Sequence, residues 1–595
     1  MELVIKSEYN FELPKEIKEP LEVFIKDILD YGLFIGNNQI WILKGSEKKK
    51  YFASVSNFKI EILQHIQDEL KPLKLIRIVN TSNEEKVFDV LSTQFNSISN
   101  FDNIVTSYGN FLFTGNKAEF DLLRRFLFDK MGNGRKIDSL GYQKEGEMWV
   151  WNNRVNLFNG KILEIDKNGM FIHQNTSYYV PSANHVYKKN EAKFISQKKF
   201  KYINTNVSIS EYFQLLNSVY GQNAIPAILF TIGSIFQDLI VEETKFFPIL
   251  FLQGEMSSGK DNLAICCQSF LGIPQDKISL GAGLSTQKSQ VRELAQFANG
   301  ISHFSEYKTG DKTTDEILKG IWDRNGYKIA TLDSKISTDM IPVLNSLILT
   351  SNYSPFDEAL VTRLIWLTMN KNSNFTSLDH ENFDKLSTIT KNGISTYSDS
   401  LLSFRENFAK NFITSYRKRK MELMVLFANP PVRIASNYAV LYSVFDFFTG
   451  VIKFPFSEDE MKNYFSNNCK DQMNKLKSGN IVSRWWDCFY ICMSGSYDNF
   501  LLIDKDYRVD GDKISFNFSS VFSKIQRQWY VQHRENIPSK STMQESLQRN
   551  KCFYETKGSI RIDGNVTSAF VFEISKIDIG NEILHKINCS KTNNI

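Results

Sequence analysis

The chain has 595 residues and a mass of 68.8 kDa, a length that predicts roughly three to five domains at ~100–200 residues each. Hydrophobic residues at 42% and charged residues at 23% describe a packed globular protein and exclude long disorder. Lys and Arg outnumber Asp and Glu by 71 to 66, a net charge of +5, which over this length decides nothing about partners, so any basic site is local.

The closest of the seven cysteines, Cys266–Cys267 and Cys488–Cys492, lack zinc-ligand spacing, and the seven histidines are scattered singly. A reducing compartment and no metal knuckle follow. The opening MELVIKSEYN is charged throughout and is not expected to be a signal peptide. The most apolar stretch, Ile225–Ile240, is interrupted at Gln237-Asp238 and is too short to span a bilayer. The expectation is a cytoplasmic protein with no membrane partner.

Residues 1–200 read as short strands with interspersed helices. Phe24–Leu29 and Ile60–Leu70 are predicted helical; Lys74–Val79, Asn110–Phe113 and Met148–Trp151 are predicted strands. The segment Lys188–Lys201 holds six Lys and marks a boundary. Helical patterns at Ser210–Val219 and Ala224–Ile240 then lead to the bare apolar run Phe246–Leu252. Further runs lie at Gly300–Phe304, Ser346–Thr350 and Leu364–Thr368. Buried strands between helices predict a parallel α/β sheet over 208–372. Residues 373–505 are expected to be mainly helical, and 506–595 to alternate helix and strand.

After the first buried run comes Gly254-Glu-Met-Ser257-Ser258-Gly259-Lys260-Asp261. This matches G-x-x-x-x-G-K of a phosphate loop, with Asp where Ser or Thr is usual. Glycines let backbone N–H groups wrap phosphates at a helix N-terminus, and Lys260 would reach the β/γ-phosphates. The second run continues into Ser305-Glu306, where an ATPase needs a metal-shell Asp followed by a water-polarising Glu. One reading is an exchange, in which Asp261 and Ser305 together supply the carboxylate and hydroxyl of the Mg²⁺ site. The other is a decayed site. The third run ends Ser351-Asn352, which places a polar residue beside the γ-phosphate, and Arg363 precedes the fourth. Arg363 is either an arginine finger for a neighbouring subunit or a surface salt bridge.

The run Gly283–Asn299, then Ser305-Glu-Tyr-Lys308, Leu318–Asp323 and Ala359–Arg363 resemble the helicase domain of phage and mobile-element primase-helicases. That domain belongs to the AAA+ class and is related to superfamily III. Upstream, Ser56–Phe58, Arg77–Asn80, Gly109–Phe113, Leu140-Gly141 and Trp151–Asn153 resemble the accessory domain of such proteins. The chain departs from the family at Asp261, Ser305 and Ser351-Asn352. The resemblance implies an α/β multidomain chain with four parts. These are an α+β accessory domain (1–200), an AAA+ P-loop core with a parallel sheet (208–372), a helical segment (373–505) and a winged-helix-like domain (506–595). It further implies an ATP- and Mg²⁺-dependent DNA helicase acting on single-stranded or forked DNA, as a homo-oligomeric, hexameric ring. A weakly hydrolysing scaffold or loader of the same fold is the alternative. No primer synthesis is expected, so a primase or polymerase would act in trans.

Between the second and third runs, Tyr327–Asp339 reads as a hairpin around Asp333-Ser334. In the resembled class a hairpin here holds DNA, which would make Lys328 and Lys335 contacts; an ordinary surface hairpin is the other reading. Residues 521–562 carry eight Lys/Arg against three acids. Their helix, turn, helix and strand order resembles a winged helix, with Arg549 and Lys551 as DNA contacts. A protein-interaction face fits the same pattern.

Overall fold

Alternating apolar residues build the first part of the chain from strands. The computed structural model describes residues 12–46, 49–67, 72–188, 192–280, 287–308, 311–330, 338–355, 357–371, 376–479, 481–493, 500–533, 536–577 and 579–592. Strands Leu33–Gly36, Gln39–Ser46 and Lys49–Ser54 form an antiparallel sheet. A mixed six-stranded sheet runs in the order Met170–His173, Thr176–Tyr179, Asn133–Lys136, Phe58–Ile66, Leu73–Asn80, Glu85–Leu91. Helices Ile98–Ser107 and Lys117–Lys130 share one apolar core with it.

Ile60–Leu70 is therefore not helical over its described part. Phe58, Ile60, Ile62, Gln64 and Ile66 alternate inward without interruption, while a bulge between Ile62 and Gln64 shifts the pairing with Leu73–Asn80 by one residue. Ile60, Leu63 and Ile66 stand three residues apart, a spacing that imitates a helix face although Leu63 lies on the other side of the strand. Asn110–Phe113 forms only one bridge, Phe113 to Ser56.

The expected boundary near residue 200 is not a seam. A third sheet, Ile162–Glu164, Arg154–Leu157, Met148–Val150 and Leu140–Gln143, is completed by Phe297–Ala298 from the following region. Phe200, inside the Lys-rich stretch, stacks 4.8 Å from Phe297 and lies 4.9 Å from Trp151. One apolar core accordingly runs from Ile137 to Cys469.

Its centre is a five-stranded, all-parallel sheet. In chain order the strands are β1 (Ile249–Gly254), β2 (Ile278–Ser279), β3 (Ile301–Ser305), β4 (Ser346–Ser351) and β5 (Leu364–Met369). Their spatial order is β2-β3-β4-β1-β5. β1, β3 and β4 are buried on both faces, as a sheet covered by helices requires, and β3 and β4 take polar residues such as His303 and Thr350 inside with them. Helix α1 (Lys260–Gln268) follows β1, and α2 (Lys312–Trp322) follows β3. The apolar stretch before β1 breaks at Phe236 into Ala224–Ile235, wholly buried, and Gln237–Thr244. Among the described residues no single helix is long and apolar enough to cross a membrane.

Helices Ser377–Asn392, Thr396–Leu402, Arg405–Leu426, Val432–Phe448 and Glu458–Gly479 continue this core. Arg405 donates from both terminal nitrogens to Asp238, and its guanidinium lies 3.8 Å from the centre of the Tyr142 ring. That one side chain ties the helix Arg405–Leu426, the helix Gln237–Thr244 before β1 and the third sheet together. Breaking such a buried pair by removing one partner costs about 3–5 kcal/mol.

A separate core spans Val482–Ile587, so the last unit begins some 25 residues before the expected 506. It comprises helix Ile481–Cys492, a four-stranded antiparallel sheet in the order Tyr507–Asp510, Lys513–Phe516, Asn565–Glu573, Phe553–Ile562, and helices Phe518–His533, Lys540–Arg549 and Gly580–Thr592. The strands expected at 552–556 and 559–562 are one bulged strand, and Asp563-Gly564, both at positive φ, turn the hairpin. The six described cysteines are free and buried: Cys266, Cys267 and Cys469 in the first core, Cys488, Cys492 and Cys552 in the second.

Candidate active site

Loops at the carboxyl ends of parallel strands are where ligands bind in open α/β sheets. β1 ends at Gly254 beside Met369 of β5. A Cβ on Gly254 would lie 2.3 Å from the Met369 carbonyl oxygen, so a side chain cannot be placed there. The loop then turns through Ser257 (φ 64°) and Gly259 (φ 85°) into α1. A non-glycine in that left-handed region costs about 1–2 kcal/mol, strain of the kind that collects at ligand clamps. The loop leaves the first N–H groups of α1 without intrahelical partners, the geometry that receives phosphate. Lys260 folds back over the loop, its Nζ donating to the Glu255 carbonyl at 3.0 Å. Burial lowers the Lys260 pKa; Asp261 opposes this and Lys277 adds to it.

Asp261, in the first turn of α1, has both carboxylate oxygens hydrogen-bonded while its side chain stays 38% exposed. Its Oδ2 accepts from Lys277 Nζ at 2.7 Å, and its Oδ1 accepts from Thr350 Oγ1 at 3.0 Å. His303 Nε2 lies 3.7 Å from the same Oδ1 and 3.0 Å from Thr350 Oγ1. Burial alone would raise the Asp261 pKa, but Lys277, His303 and Thr350 together hold the carboxyl below its usual range. Burial pushes His303 down to about 4, so it is neutral near pH 7.

Ser305 ends β3 with 2% exposure, and its buried Oγ has no hydrogen-bond partner. The expected Asp261/Ser305 metal pair is therefore not offered as such: the carboxylate already holds an ammonium, and the hydroxyl is out of solvent. Mg²⁺ demands oxygen ligands in near-octahedral geometry at about 2.0–2.1 Å. The residues present do not fit it.

Glu306 follows β3 at φ 60°, exposed, and accepts a hydrogen bond from Ser279 of β2. Asn352 follows β4 and is exposed. Both lie at the same sheet edge as the loop. Beneath them Tyr307 donates to Asp315 at 2.7 Å, and Ser351 Oγ donates to the Tyr307 carbonyl at 2.9 Å. Gly254, Ser257, Ser258, Gly259, Lys260, Asp261, Glu306 and Asn352 are thus brought to one edge.

Arg363 is not. It precedes β5, whose Leu364 pairs with Ile249 at the far end of β1, roughly 16 Å from the loop at about 3.3 Å per residue. Arg363 is 7% exposed, donates to Asp323 at 2.9 Å and to the Ala359 carbonyl at 2.8 Å, and packs on Trp322. A side chain so committed is not placed to act as a finger, and its ion pair is half-buried, with the Asp323 side chain 34% exposed.

The arms of the expected hairpin pair, Tyr327–Ala330 against Thr338–Ile341, with Lys328 opposite Met340. Lys335 and the Asp333-Ser334 turn lie outside the described residues. Arg549 ends helix Lys540–Arg549 with its side chain 82% exposed, and Lys551 is exposed just beyond. Lys277, His303 and Thr350 were not anticipated from the sequence. A His and a Thr inside apolar strands were a legible signal for two of them. β2, at two residues, is too short to mark Lys277.

No protein-family model matches the chain, and no curated protein matches it in sequence. Among solved structures, the one titled SCCmec type IV Cch, active helicase, aligns over 92% of this chain and 99% of its own at 14% identity, with a TM-score of 0.58. This likeness establishes a shared fold along nearly the whole length. The NrS-1 C-terminal region (86% and 96% covered, 10% identity, TM-score 0.28) and JCV helicase (38% and 68%, 12%, 0.23) align too loosely to carry an argument.

Proposed function

We propose that the chain is an ATP-dependent DNA helicase or translocase. The observation that carries this is the loop Gly254–Lys260, strained at Ser257 and set between a buried parallel strand and a helix N-terminus. Glu306 and Asn352 stand on the same sheet edge. The full-length fold likeness to a protein described as an active helicase supports the same reading. In it, Glu306 polarises the attacking water, Asn352 stands by the γ-phosphate, and the chain works as a homo-oligomeric ring in replication of a phage or mobile element. In this reading Lys328, on the paired arm Tyr327–Ala330, and Lys335 contact DNA, and the final unit acts as a winged helix through Arg549 and Lys551. A primase or polymerase would be supplied separately. A weakly hydrolysing scaffold or loader of the same fold is the second reading, favoured by the engaged Asp261 and the buried Ser305.

ATP binding and turnover, with and without single-stranded DNA, test the assignment. Lys260→Ala removes the loop's own side-chain cation and should reduce ATP affinity below detection by calorimetry. Unchanged affinity would sink the phosphate-loop reading. Binding without DNA-stimulated turnover would favour the scaffold.

A further inference from the structure

The disagreement between the expected metal pair and the residues present has a positive content. The cation beside the loop is already part of the chain. Lys277 immediately precedes edge strand β2, whose Ile278 and Ser279 pair with Phe304 and Ser305 of β3. From there its ammonium reaches Asp261 Oδ2 at 2.7 Å, while the Lys277 side chain keeps half its surface exposed. Thr350 donates to the other oxygen, and His303 on the adjacent strand holds the Thr350 hydroxyl in turn. The carboxylate is thereby aimed and neutralised without an ion.

The charges agree. Lys260 and Lys277 oppose Asp261 and Glu306, so these four side chains sum to zero before a nucleotide arrives. A divalent ion bound to Asp261 would compete with the ammonium for the carboxylate and bring two positive charges beside two lysines. A triphosphate meets two ammonium groups already in place.

We propose that Lys277 is the resident cation of this site, and that the loop binds nucleoside triphosphate without Mg²⁺. The proposal rests on the nucleotide reading above.

Calorimetry with the non-hydrolysable analogue AMP-PNP, in excess Mg²⁺ and in EDTA, tests it on the full chain. The wild-type Kd should differ by less than about threefold between the two conditions. Lys277→Gln should weaken binding in EDTA by about tenfold or more, the scale of a lost charge-assisted contact. Mg²⁺ should recover most of that loss, because Asp261 is then free to take the ion. Lys277→Arg should keep the metal indifference, and thermal unfolding of both variants would reveal any folding defect. Wild-type binding that collapses in EDTA would overturn the proposal while leaving the nucleotide reading intact, as would a Lys277→Gln variant no weaker than wild type in EDTA. No wild-type binding in either condition would overturn both.

Discussion

At the scale of single residues, Asp315 behaves unlike an ordinary carboxylate. It is 6% exposed, and its pKa is raised to about 6. Burial is the main cause; Asp357 and Asp311 add to it, while the Tyr307 hydroxyl and Lys319 oppose it. An unfolded Asp titrates near 3.9, so between about pH 4 and 6 the folded chain holds a proton that the unfolded chain has released. Stability from this group is therefore present at low pH and lost as pH rises through 6. Asp315→Asn keeps an acceptor for Tyr307 and has no charge to bury. Measured by urea denaturation, its stability relative to wild type should be about 1 kcal/mol better at pH 8 than at pH 5. A difference that does not change with pH would mean that Asp315 is ionised throughout. The neighbouring site shows which residues the sequence reveals. Lys260 and Glu306 were legible because short local motifs fix their surroundings. Lys277 was not, because its partner Asp261 meets it only through sheet pairing.

At the scale of elements, the short parallel pair between Leu140–Gln143 and Phe297–Ala298 joins the third sheet to the segment that leads into β3. Gly141 makes it work: its φ is 92°, and a Cβ there would lie 2.0 Å from the Ala298 carbonyl oxygen. Gly141→Ala combines a disfavoured backbone with a backbone clash. It should cost about 2 kcal/mol or more, and amide exchange at Phe297 and Ala298 should accelerate. Protection unchanged at those two residues would show that the strands do not depend on this approach. The glycine itself was visible in the sequence, but its partner, over 150 residues away, was not. The three-residue spacing of Ile60, Leu63 and Ile66 was enough to disguise the strand Phe58–Ile66 as a helix.

At the scale of the whole molecule, the sequence told apart the strand-rich start, the α/β centre, the helical stretch and the mixed end. It misplaced the seams because composition changes where the chain's local texture changes, and cores divide where packing divides. The Lys-rich stretch looked like a linker, yet Phe200 inside it is 1% exposed between Trp151 and Phe297. Residues 481–492 looked like the end of the helical stretch, yet Trp485 stacks on Phe516 and Trp486 meets Phe516 and Phe572 of the last unit edge-on. The order β2-β3-β4-β1-β5 could not be read from spacing, since every crossover is long and all strands look alike from inside.

The even division of cysteines between the two larger cores turns the chain into its own reporter of opening. Buried thiols ionise reluctantly: burial raises Cys492 to about 11 and Cys488 to about 12, and Cys266 higher still. A thiolate-seeking reagent therefore waits for unfolding. In a Cys589→Ser background, the native protein should take up almost no maleimide. As urea is raised, intact-mass spectra should show adducts arriving as a set of three and then a second set of three, one for each core. Peptide mapping would then name which half let water in first. Adducts appearing one at a time, or all six together, would mean that the seam at residues 479–481 does not insulate one half's unfolding from the other's.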